Sequence, residues 1–152
     1  MLAVEHAELR LRGLQSEEAR PALPAGRRLL LYPSATARVL SRREHAADAP
    51  AVLLVPDGNW TQAHRASKRD PDFEGAEHVT LPPGPPSRYL LRRGTELGRV
   101  CTLEAIARAL GILEGAHVQT ALETVMDLFV TRALRVSGNK EALLRLGAPA
   151  NV

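Results

Sequence analysis

A chain of 152 residues, 45% hydrophobic and 24% charged, is long enough for one domain with a real core, and its composition is ordinary for a globular protein, with disorder expected only at the ends. Cys101 is the only cysteine, so neither a disulfide framework nor a cysteine-rich zinc site can be built within one chain, and a reducing, cytoplasmic setting is expected. No apolar run approaches the ~18 residues that a membrane span needs, and the net charge of +3 with a pI near 9.6 rests almost wholly on arginine, Lys68 and Lys140 being the lysines. Arginine pairs with phosphate and stacks on bases, so RNA suits this balance; a coding bias toward Arg and Ala gives the same composition.

In chain order, Glu8 to Arg12 alternates in period two and predicts an edge strand with Leu9 and Leu11 inward. Gly13 to Gly26 reads as a loop. Leu29 to Tyr32 is a short buried strand halted by Pro33-Ser34, and Ala35 to Arg43 has helical character with a basic end. The next unit is the most informative. Ala51 to Val55 is a continuous apolar run, as in a strand covered on both faces, and Pro56 stops it. Asp57-Gly58-Asn59-Trp60 is a compact polar turn. Asn59 with Gln62 three residues on resembles a capping box, which starts a helix at Trp60.

Glu77 to Leu81 predicts a third strand, running into the rigid proline linker Pro82-Pro83-Gly84-Pro85-Pro86. Between Arg88 and Arg99 stand four arginines against one glutamate, with Tyr89 among them. This is either a nucleic-acid surface or a solvated face. Thr102 is a natural N-cap for a helix with Leu103, Ile106, Leu110 and Leu113 on one face, ended by Gly115. A second helix carries Val118, Leu122, Val125 and Phe129 as its stripe and stops near Gly138; Lys140 to Leu146 forms one more. Strands interleaved with helices, followed by helices, give an α/β sheet covered on its faces, in a single domain: 1–28 edge strand and loop, 29–113 core, 114–152 carboxyl-terminal helices.

The five histidines stand far apart with no metal-like spacing, and neither a P-loop, a G-x-G-x-x-G nor a G-x-S-x-G elbow is present. What remains are polar turns at Pro33-Ser34, at Asp57 to Trp60 and at Cys101 to Glu104, each at a strand end or helix start. In an α/β sheet such turns converge on one crevice outside the carboxyl ends of the strands. The rival reading is structural: prolines that only end strands, and an Asp and a Thr that only cap helices.

Four blocks in order, LLLYPSATARVL, LLVPDGNWTQAHR, SRYLLRR and CTLEAIARAL, resemble the DTW-domain family, named for an Asp-x-Thr-Trp signature. The resemblance implies a tRNA-uridine aminocarboxypropyltransferase with a SPOUT-like, mostly parallel sheet and a carboxyl-terminal trefoil knot around S-adenosylmethionine; knots are exceptions that periodicity does not predict. It implies a donor site at Pro33, Ser34, Pro56, Asp57, Gly58, Asn59, Trp60, Thr102, Leu103 and Glu104, with Asp57 as general base or orienter. Ser87, Arg88, Tyr89 and Arg92 are the expected RNA contacts, no metal is expected, and tRNA is the expected partner. Asn59 stands where the family usually has Thr, and the family's usual cysteine-rich amino-terminal part has no counterpart before Met1. That departure keeps a non-catalytic RNA-binding or scaffold protein of the same fold as the alternative, with methyl transfer on the same donor as a third.

Overall fold

The computed structural model describes residues 6–10, 22–42, 50–91 and 99–147. Strands β1 (Arg27–Leu31), β2 (Arg38–Val39), β3 (Ala51–Leu54) and β4 (Glu77–Thr80) form a sheet in the order β2-β4-β1-β3. Every pairing is parallel, with Leu29 opposite Leu53 on one side and Glu77 on the other. Parallel strands need crossovers, and β3 and β4, which flank β1, are joined by helix α1 (Trp60–Arg69) and a short 3-10 turn at Pro71–Phe73. The central strand β1 is the apolar RRLLL, whose three leucines are buried; together with Leu40, Val79, Ala109 and Leu113 two of them, Leu29 and Leu31, form the sheet core. Glu77 ties the amino ends of three strands together, accepting from Arg27 at 3.0 Å and from Arg38 at 2.8 Å. These two guanidinium groups, Arg38 before Arg27, hold its carboxyl below the usual carboxylate range.

The carboxyl-terminal half is helical: α2 (Thr102–Leu113), α3 (Ala116–Val136) and α4 (Lys140–Arg145). A second core of Met126, Val130, Leu134, Ala142 and Leu143 lies between α3 and α4, with Tyr89, Leu90 and Leu103 packed on it. Helix α2 serves both cores, Ala109 and Leu113 facing the sheet and Leu103 facing α3. No helix among the described residues is long and apolar enough to cross a membrane.

Several sequence expectations are corrected. Glu8 to Arg10 do not form a strand: Leu9 is 77% exposed, and Arg10 is held by Glu8 and Asp72 instead of a ladder partner. Leu11 and Arg12 lie outside the described residues. The helix expected over Ala35 to Arg43 is a turn followed by β2, which pairs Arg38 with Val79 and Val39 with Thr80 and sends Leu40 into the sheet core; Arg43 lies outside the described residues. Nine residues with adjacent β-branched and polar positions carry too little periodicity to exclude a strand edge. On α3 the buried stripe is Leu122, Met126, Val130 and Leu134, whereas Val125 and Phe129 are exposed, Phe129 by 58%. Apolar residues surround that helix on most sides, so two stripes compete and only packing chooses. Likewise α2 buries Glu104, Ala107, Ala109 and Leu113 rather than one leucine face.

Candidate functional site

Because all four strands run in one direction, the segments that leave them emerge at a common edge. Tyr32-Pro33 follows β1, Val55 to Gly58 follows β3, and Leu81 to Pro85 follows β4. The amino end of α2 meets them there. Between these segments lies a cavity of about 410 Å³, inside the range of roughly 300–1,000 Å³ typical of small-molecule sites. Pro33, Pro56, Gly58, Trp60 and Thr102, all expected from sequence, line it.

The turn before α1 is built by short-range chemistry. Asn59 Oδ1 accepts from the Gln62 backbone N–H at 2.9 Å, and Gln62 Oε1 accepts from the Asn59 N–H at 2.9 Å. That reciprocal pair is the capping box the sequence predicts, and the helix starts at Trp60. Gly58 turns the chain at φ +128°, where a Cβ would lie 2.8 Å from Gln62 Oε1, so a side chain there is both strained and crowded. Asp57 does not itself line the cavity; it stands between the lining residues Pro56 and Gly58. Its Oδ1 accepts from the Thr102 hydroxyl at 2.6 Å, a bond that joins the turn after β3 to the start of α2 across 45 residues of sequence.

Thr102 is the first residue of α2 and not its cap, which corrects the sequence expectation. Cys101 is the N-cap: its Sγ accepts from the Glu104 N–H at 3.4 Å, and Glu104 returns a bond to the Cys101 N–H at 3.1 Å. Burial pushes the Cys101 thiol up, so it caps as a neutral thiol and is a poor nucleophile. Glu104 is the one buried charged residue among those described, at 2% exposure. Its carboxylate also accepts from the Ser87 hydroxyl, in a very short bond, and from the Arg88 backbone N–H at 2.7 Å. Glu104 thus ties the segment after the proline strap to α2, and it faces that segment rather than the cavity. Leu103 packs into the helical core.

Ser34 lies at the edge of the site but turns to His78, with 3.1 Å between its Oγ and Nδ1, and to Thr36 at 3.3 Å. Of the residues expected to touch RNA, Ser87 is bonded to Glu104, Tyr89 packs on the helical core, and Arg88 is exposed with its guanidinium 2.6 Å from Asp127. Arg92 lies outside the described residues. Sequence reasoning missed three parts of the cavity. Tyr32 forms its aromatic end, 6.3 Å from the Trp60 ring and with its hydroxyl 3.2 Å from His64 Nδ1. The run Pro82 to Pro85, read as a linker, is a wall, and Arg108 supplies a cation. A rigid proline run placed immediately after a strand was the available signal for the wall. Trp60 is 39% exposed, and Arg99 lies over its ring at 5.1 Å, a cation–π contact at the mouth.

Comparison with known proteins agrees with the four-block resemblance. Proteins named tRNA-uridine aminocarboxypropyltransferase 2 are similar to the chain: one from Drosophila melanogaster is 35% identical over 86 residues, 57% of this chain and 34% of that protein. One from Macaca fascicularis is 30% identical over 144 residues, covering 87% of this chain and 48% of the relative. One from Mus musculus is 29% identical over 127 residues, covering 78% and 42% respectively. The chain therefore spans between about a third and a half of the length of these relatives. No solved structure matches it. The family model for the DTW domain matches residues 3–134, which carry the sheet, the polar turns and the cavity, and the chain belongs to the DTW-domain family.

Proposed function

We propose that the chain is a tRNA-uridine aminocarboxypropyltransferase, moving the 3-amino-3-carboxypropyl group of S-adenosylmethionine to N3 of a uridine in tRNA. The observation that supports this reading is the Asp57–Thr102 hydrogen bond of 2.6 Å, which ties an acid flanked by the lining residues Pro56 and Gly58 to Thr102, a lining residue of a cavity of suitable size. In the reaction the uridine N3 lone pair forms a bond to the methionine-chain carbon γ to the carboxylate. The carbon–sulfur bond breaks, its electron pair goes to sulfur, and methylthioadenosine leaves. Because the sulfonium activates each of its three carbon substituents, holding one of them toward the nucleophile is the main catalytic lever.

Asp57 takes the N3 proton. Thr102 orients it by occupying Oδ1 and leaving Oδ2 toward the incoming base. Tyr32 and Trp60 offer apolar faces for the adenine or the uracil ring, and the proline run forms one wall of the pocket. The SPOUT-like arrangement and the carboxyl-terminal knot belong to the same reading, as does tRNA as partner. Arg88, exposed beside Asp127, is the group available for backbone phosphate.

Asp57→Asn tests the assignment. Asparagine keeps an acceptor for Thr102, so fold and donor binding should stay close to the parent, while transfer to tRNA, followed by mass spectrometry of the nucleosides, should fall by roughly 10²–10⁴-fold. Transfer at the parent rate would refute Asp57 as the base. A nucleoside gaining only a methyl group would replace this reaction with methyl transfer.

A further inference from the structure

Resting on that reading, we infer that Arg108 binds the carboxylate of the donor's methionine chain and thereby selects an amino-acid-bearing sulfonium. Arg108 is the only charged residue lining the cavity among the described residues, and its side chain is 15% exposed. It stands on α2, six residues beyond Thr102, beside Gly84 and the Pro86 carbonyl. The cavity thus combines an aromatic pair, Tyr32 and Trp60 with ring centroids 6.3 Å apart, with a cation supplied by α2. A ligand that carries both a flat ring and a carboxylate matches that lining.

The guanidinium is anchored without being used up. One Nη2 N–H points to the Pro86 carbonyl at 3.4 Å, a long bond that fixes the strap. Nη2 is ion-paired with Glu104 Oε1 at 3.8 Å, beyond hydrogen-bond reach, and the hydrogen bonds of Glu104 come from Ser87, Arg88 and Cys101, which leaves the Nη1 donors outside both contacts. An arginine has five N–H donors in a planar fork that fits a carboxylate in bidentate fashion, and it cannot lose its charge. Gly84 leaves room for that fork: a Cβ there would sit 3.3 Å from Nη1. A purely structural role would need only the Pro86 and Glu104 contacts, neither of which employs Nη1.

Calorimetric titration of the whole chain tests the assignment with three ligands: S-adenosylmethionine, its decarboxylated analogue, and methylthioadenosine, which lacks the amino-acid chain. The parent protein should prefer S-adenosylmethionine over the decarboxylated analogue by roughly ten- to a hundredfold, the worth of a charge-assisted hydrogen bond. Arg108→Gln should abolish that preference, Arg108→Lys should keep part of it, and both should bind methylthioadenosine as the parent does, which also reports an intact pocket. If Arg108→Gln retains the preference, or the parent has none, the assignment is wrong although the donor site stands. If the parent binds none of the three, the donor site itself is refuted and Arg108 with it. Loss of methylthioadenosine affinity in both variants would make Arg108 a structural brace of the strap and overturn its role in recognition.

Discussion

The chain builds the same device twice, and the two copies do different work. Before α1, Asn59 and Gln62 close a capping box at the surface, with bonds that stay within four residues. Before α2, Cys101 and Glu104 close another, but its acid is buried and extends to Ser87 and Arg88 as well. The first box fixes a local backbone shape and so aims Asp57. The second joins the proline strap, the segment at Ser87 and the helix into one unit, so the cavity wall depends on it. The bond between Asp57 and Thr102 then links the two turns. A motif readable from four residues thus gives no measure of its energetic weight; burial and long-range partners decide that.

Breaking the two boxes separately should expose this difference. The largest effect is expected for Glu104→Ala, which leaves the Ser87 hydroxyl and the N–H groups of Arg88 and Cys101 without their buried acceptor. A loss of about 3–5 kcal/mol in urea unfolding is expected; a loss below about 1 kcal/mol would mean that water replaces the carboxylate and that the box is no more than a cap. Asn59→Ala should cost about 1 kcal/mol, the usual worth of one exposed cap, measured in the same way. An equal cost for both variants would erase the distinction. Arg88 sharpens it further, because its backbone belongs to the buried box while its side chain lies outside on Asp127. Arg88→Ala should change stability by no more than about 1 kcal/mol, as surface pairs do. It should nevertheless weaken tRNA binding and make its dependence on salt shallower by about one unit of log–log slope. An unchanged slope would remove Arg88 from the RNA surface.

The local box at Asn59, the start of α1 at Trp60 and the strands around Leu29 and Leu53 were legible because each depends on neighbouring residues or on an uninterrupted apolar run; the strand around Val79, Glu-His-Val-Thr, was legible as a short run bounded by Gly75 and the prolines. The rest was hidden for physical reasons. Glu104 reads as an ordinary acid in a first helical turn, and nothing in its neighbourhood announces Ser87, 17 residues away, as its partner. Thr102 reads as a cap because hydroxyls usually outrank thiols there, yet the bond to Asp57 needs its side chain elsewhere and Cys101 takes the cap. Proline runs look like linkers until a sheet edge and a helix close around them. On α3, Val125 and Phe129 obey helical spacing as well as Met126 and Val130 do, and the choice between them lies in tertiary contacts with α4 and the Tyr89 segment.

Trp60 is the only tryptophan of the chain and it lines the cavity, so its fluorescence is a probe of the mouth of that space. Titration with S-adenosylmethionine, with calorimetry on the same samples, tests the convergence of the turns on a donor pocket most directly. A saturable change in Trp60 emission with the same dissociation constant as the heat is expected. Heat of binding without any change in Trp60 emission would place the donor elsewhere and contradict that convergence.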